Sequence, residues 1–197
     1  MSNRAFRNLN LQPMVAKNDD WTDLWPAPSQ APEAPAPVLP KTLHAFNASW
    51  LEIDAAWRHA GAEGPAPPRS LLNLSQMRSY LGSVMLIDVG AMRDNPDRNA
   101  YRFRVFGTAV APIFGADFTA YTVADLPEKL APTIEEIFDR VLSDGAPCRF
   151  RFSITEPASA RHALGMACPM TRDAQSVDVI LAMTVVEDYR WDPLPYL

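Results

Sequence analysis

Two cysteines and three histidines are the side chains of this sequence best suited to attack a substrate or hold a metal. Cys148 and Cys168 belong to no Cys-x-x-Cys pair, so zinc and redox motifs find no support, and both are expected as buried small hydrophobes. His44 and His59 fall on a helical stretch and at its end, and His162 at a strand start, where surface or capping roles suit them. No two His, Cys or carboxylate side chains share a convincing face at ligand spacing, and no metal site is expected. The acidic pairs Asp19 with Asp20 and Glu135 with Glu136 are adjacent, so their carboxylates point apart, as on a solvated face rather than in an acid–base site. No glycine-rich phosphate loop follows a strand, and no Gly-x-Ser-x-Gly elbow occurs. These patterns argue against an enzyme.

What remains is apolar binding. Met85, Tyr101, Phe103, Ile113, Phe114, Phe118, Phe138, Met166, Cys168 and Met183 are the candidate lining of a cavity between a sheet and its helices, with Ile87 and Ile137 beside them. The same residues suit an ordinary filled core. In the ligand reading, an apolar or amphipathic metabolite meets few polar atoms there, the Tyr101 hydroxyl and the Cys168 thiol among them.

The elements that must position these residues are legible from periodicity. Leu43, Phe46, Trp50, Ile53 and Trp57 recur at spacings of three and four, which makes one stripe of an amphipathic helix from Lys41 that stops at Gly61 and Gly64. The stripe suits packing on the chain's own sheet, or pairing with a second copy. LLNLSQMRSYLG reads as a brief helix ending at Gly82, Val84 to Val89 as a strand, and RDNPDRN as the turn of a hairpin. The next strand alternates Tyr101, Phe103 and Val105 against Arg102 and Arg104. Gly107 ends it, Thr108 is placed to cap a short turn through Phe114, and Gly115 supplies a left-handed exit. Leu130, Ile134, Ile137, Phe138, Val141 and Leu142 mark a longer helix, with Pro132 early and Gly145 after it. Three strands follow: Cys148, Phe150, Phe152 and Ile154 facing in with Arg149 and Arg151 out; Leu164, Met166, Cys168 and Met170 facing in; and an apolar run from Val177 to Val186 suited to the middle of a sheet.

Ahead of all this lies a tail of different character. Pro26, Pro28, Pro32, Pro35, Pro37 and Pro40 crowd a Pro/Ala-rich stretch that cannot bury enough surface to offset its ordering entropy, so residues 1–40 are expected to be disordered. Within it, Trp21 and Trp25 stand among Asp19, Asp20 and Asp23, the pattern of a short docking motif, and with Phe46, Trp50 and Trp57 they are the candidate partner-binding residues. The chain divides at this level into the tail 1–40, the helix 41–64, a domain 65–188 and a C-terminal tail 189–197. A net charge of -5 argues against a protein that coats nucleic acid or anionic membrane. No run approaches the roughly 18 apolar residues of a membrane span, and the first residues lack a signal-peptide core, which makes the cytoplasm the expected location.

PRSLLNLSQMRSYLGSVMLIDV from Pro68, YRFRVFGTAVAPIFGADFTAYTVADL from Tyr101, and the terminal strands together resemble the PAS family of sensor domains over residues 43–187. The Phe-Arg-x-x-Gly-Thr element at Phe103 and the Phe-Gly-x-Asp element at Phe114 are similar to the form found in small stand-alone or tethered proteins of alphaproteobacteria. The resemblance implies an α+β fold: a five-stranded antiparallel sheet with helices on one face, its strands in spatial order second, first, fifth, fourth, third. It also implies a sensory module that acts on regulatory proteins such as two-component kinases, or a receptor for a small organic ligand. GTAVAPIFGADF lacks the cysteine of cysteinyl-flavin photochemistry, and the long helix lacks a histidine for haem, so neither cofactor is expected. One departure is that such proteins often have Thr-Gly where this sequence has Thr119-Ala120, and a residue needing an unusual backbone angle there would be strained.

Overall fold

The computed structural model describes residues 14–15, 40–91, 99–156, 159–172 and 175–187. Six strands form one antiparallel sheet: β1 (Met14–Val15), β2 (Val84–Ala91), β3 (Asn99–Phe106), β4 (Cys148–Glu156), β5 (Ser159–Met170) and β6 (Val179–Glu187), in the order β1-β4-β5-β6-β2-β3. Leaving aside the two-residue β1, this is the strand order that the resemblance implies, with the apolar β6 at the centre. The described helices are α1 (Lys41–His59), the single turn α2 (Ala111–Phe114) and α3 (Ala131–Asp144).

Both faces of the sheet are covered, because alternate residues of the central strands are apolar on either side. On the inner face Met85, Ile87, Tyr101, Phe103, Phe150, Phe152, Ala163, Ala167, Ile180 and Ala182 pack against Phe114 of α2 and Ile134, Ile137, Phe138 and Val141 of α3. On the outer face Leu164, Met166, Cys168, Met170, Leu181 and Met183 pack against Leu43, Phe46 and Trp50 of α1. The sequence sets residues 41–64 apart, but α1 is part of the folded body. Its stripe covers the sheet, with Phe46 1%, Trp50 3% and Trp57 6% exposed.

Local chemistry explains the element ends. Pro132 lies in the first turn of α3, and Gly145 ends it at φ +59°, its N–H bonded to the Val141 carbonyl. Gly115 closes α2 at φ +83°. Thr108 makes no cap for α2, which starts from Val110 without a side-chain bond. The stretch from Leu71 to Gly82 is no α-helix: short 3-10 turns at Arg69–Leu71 and Leu81–Ser83 flank it. Between them the Asn73 side chain accepts the Ser75 N–H, and Tyr80 bonds back to the Met77 carbonyl, so a local turn motif competes with the helical ladder.

Three expectations fall partly or wholly on residues outside this description: the hairpin turn RDNPDRN, the tail with Trp21 and Trp25, and residues 189–197. Of the tail, Met14–Val15 is described, and it joins the sheet edge at β4 instead of standing apart.

Candidate functional site

The space between sheet and inner helices is filled by an aromatic chain. Tyr101 meets Phe138 edge-on at 5.2 Å, Phe138 meets Phe103 at 6.5 Å, Phe103 meets Phe106 at 5.1 Å and Phe106 meets Phe114 at 5.4 Å. Phe114 then reaches Phe152 at 6.2 Å, and Phe152 stacks on Phe150. Edge-to-face pairs of this kind contribute about 0.5–1.5 kcal/mol each beyond their burial. A β-bulge makes the series continuous. β3 slips register opposite Leu86 and Ile87, which leaves Val105 half exposed and brings Phe106 inward, so the simple alternation Tyr101, Phe103, Val105 does not persist to the strand end.

Of the residues expected to line a cavity, Met85, Tyr101, Phe103, Phe114 and Phe138 meet in this inner cluster, and Ile113 and Phe118 pack against its rim. Met166, Cys168 and Met183 do not: they lie on the opposite face beneath α1. The inward residues of β5 are instead small, Ala163, Gly165 and Ala167, and make room for rings. The Tyr101 hydroxyl donates to Asp139 Oδ1, tying β3 to α3. Both thiols are buried, Cys148 inside and Cys168 outside. Burial pushes the Cys148 thiol up to about 11 and raises Cys168 well above its ordinary value, so neither is poised as a nucleophile. Among the described residues no group of three or more His, Cys, Asp or Glu is arranged to hold a metal.

The family-type elements serve architecture. A Cβ on Gly107 would stand 2.2 Å from the Gly82 carbonyl oxygen, which itself accepts the Ala109 N–H, so the backbone crossing after β3 admits only glycine. Asp117 Oδ1 accepts both the N–H and the hydroxyl of Thr119, and these hydrogen bonds hold its carboxyl below its ordinary value. Ala120 sits at φ +71°, the left-handed region, which bears out the strain expected of a residue in that place. It is held by its own N–H to the Phe103 carbonyl and by Arg102 Nε to its carbonyl. A PAS domain family model matches residues 45–184. The chain belongs to the PAS domain family. The curated proteins hold no match to it. Such domains are generally sensory, signal-transducing and non-catalytic.

The outer face of this PAS domain carries the charge. Burial of the Asp88 carboxyl opposes its ionisation, but hydrogen bonds from Arg104 (2.9 Å) and Arg172 (2.5 Å) and their charges outweigh it and lower its pKa. Arg172 also reaches Asp178, at 3.5 Å. Arg149 and Arg151 face away from the inner core, as expected, but are buried rather than solvated; Arg149 Nη2 bonds Asn47 Oδ1 of α1 at 3.0 Å. Beside them, between α1, the Pro65–Pro67 turn and the start of β4, lies a groove of about 210 Å³ lined by Trp50, Arg58, Pro67, Pro147 and Arg149. Ligand pockets start near about 300 Å³, so the groove suits a single side chain better than a metabolite. No described helix is long and apolar enough to cross a membrane.

Proposed function

We propose that this PAS domain is a non-catalytic cytoplasmic regulatory module that acts by contact with other proteins in bacterial signal transduction, two-component kinases among them. The carrying observation is the inner face, where Phe103, Phe114, Phe138 and Phe150 are each fully buried against one another and against the small residues of β5. With that space occupied by the chain's own rings, the surfaces are what remain to convey a signal. The Phe-Arg-x-x-Gly-Thr and Phe-Gly-x-Asp elements support the narrower placement among small alphaproteobacterial PAS proteins. A homodimer through α1 would use its solvent face, where Leu51 is 52% exposed, since the Phe46, Trp50 and Trp57 stripe is already buried.

A pull-down from native cells tests the reading, with the full-length chain beside its Trp21→Ala/Trp25→Ala variant. Specific partners on the full-length chain are expected, with fewer on the variant if the acidic tryptophan motif takes part. Absence of any specific partner overturns it.

A second reading, a receptor for an apolar metabolite, is favoured by the small inward residues of β5. Rotation of Phe150 away from Gly165 would vacate the volume of a ring.

A further inference from the structure

The stretch that follows α2 is anchored at both ends and lightly held between them. Phe114, 1% exposed, fixes its start, and Gly115 turns the chain there at φ +83°. Val123, 4% exposed, fixes its far end, where Asp125 Oδ2 accepts both the N–H and the hydroxyl of Thr122. Of residues 115–122, only Phe118 and Thr122 are half-buried and the other six are exposed.

These residues lie as a strap along the edge of β3. Three hydrogen bonds tie the strap down: the Phe103 N–H to the Tyr121 carbonyl at 2.9 Å, the Ala120 N–H to the Phe103 carbonyl at 2.7 Å, and Arg102 Nε to the Ala120 carbonyl at 3.2 Å. The Phe118 ring adds an apolar contact, meeting Phe106 at 5.7 Å. The bonds from Thr119 to Asp117 and from the Tyr121 N–H to the Phe118 carbonyl are internal to the strap and survive its lifting. A segment with little buried apolar area and few bonds to the body opens at a small fraction of the cost of global unfolding.

Two of the three ties converge on Ala120, which among the described residues is the only non-glycine at positive φ. Its side chain opposes the left-handed angle, so the residue that fastens the strap also strains it. Lifting lets Ala120 relax. Gly115, which has no Cβ, and the Thr122 end are placed to absorb the rotation. The open form presents the Phe103 N–H and carbonyl at the sheet edge and bares the ring of Phe106, a link in the inner aromatic chain; the closed form hides them.

We propose that residues 115–122 are a strap that opens while the rest of the domain stays folded, hinged at Gly115 and Thr122, with the strain at Ala120 setting how often it lifts. The device stands apart from the contact reading, which the pull-down judges separately.

Hydrogen exchange read by NMR on the full-length chain tests it. The Phe103 and Ala120 amides report the strap, and the Ile180 amide, in β6 between β5 and β2, reports the sheet. After allowance for intrinsic rates, Phe103 and Ala120 are expected to exchange at least about tenfold faster than Ile180. Low urea should leave their rates nearly unchanged while Ile180 accelerates, because lifting the strap exposes little surface. Ala120→Gly removes the strain and is expected to slow exchange at Phe103 by about two- to fivefold. Phe103 and Ala120 amides that match Ile180 in rate and in urea dependence overturn the proposal, since the strap would then open only with the whole domain. An Ala120→Gly variant whose Phe103 amide exchanges as fast as the wild type's overturns it as well.

Discussion

The ring of Phe150 occupies the space that a side chain at residue 165 would need: a Cβ on Gly165 would stand 2.1 Å from Phe150 Cζ and 2.7 Å from the Met183 carbonyl oxygen. Gly165→Ala must therefore move both a buried ring and the β6 backbone, and a loss of about 2–3 kcal/mol is expected in urea unfolding. Phe150→Ala is expected to cost about 3–5 kcal/mol and to leave an apolar cavity beside Gly165. Indole should then raise the melting temperature of Phe150→Ala but not of wild type. A wild-type shift as large as the variant's would show that the inner space is already open.

Ala120 offers a substitution in the opposite direction. An alanine in the left-handed region carries roughly 1–2 kcal/mol of strain. Glycine removes the strain, while its extra freedom in the unfolded chain returns about 0.4–1 kcal/mol of the gain. Ala120→Gly is expected to stabilise the domain by about 0.5–1 kcal/mol, read as a higher urea midpoint at unchanged slope.

How far the sequence carries can be judged at β5. Its alternation was legible, and so were the strand order implied by the family resemblance and the buried stripe of α1. Which face of β5 points inward was not. Leu164, Met166, Cys168 and Met170 look like a core face, and Ala163, Gly165 and Ala167 look weak, until α1 is known to cover the outer side and Phe150 to lie across the inner one. Periodicity gives the alternation of a strand but not its sign when both faces are covered. The same cover hides Arg149, which bonds Asn47 of α1 and reads as solvent-facing only while the outer face is taken to be open. The bulge that turns Phe106 inward leaves no mark in the hydrophobic pattern, since it depends on pairing with β2.

The two faces of α1 should answer differently to truncation. Trp50 is buried beneath the helix, and Trp50→Ala is expected to cost about 3–5 kcal/mol. Its neighbour Leu51 faces solvent, and Leu51→Ala should change stability by no more than about 0.5 kcal/mol. Similar losses at both positions would mean that the outer side of α1 is also covered.

Stability should fall on mild acidification, with a calculable sign. His162 has its pKa held below the ordinary 6.5, by burial first and the Arg151 charge second. As pH drops through 6.5 the unfolded chain takes up a proton that the folded chain resists, so unfolding becomes easier until the lower folded value is passed. Urea midpoints should therefore decline from neutral pH through this window, and His162→Gln should flatten the decline. Asp88 acts at lower pH. Its folded pKa lies below the ordinary 3.8, so its contribution is present above that value and lost as pH falls through the lower one.

Native mass spectrometry of the full-length protein, purified from its own cells under gentle conditions, tests the central claim most directly. A domain whose inner face is filled by its own rings and which works by contact should fly at the mass of the bare polypeptide, 21.8 kDa, or as a complex with another protein. A stoichiometric small molecule that is released on denaturation would contradict the account and make the space around Phe150 a ligand site.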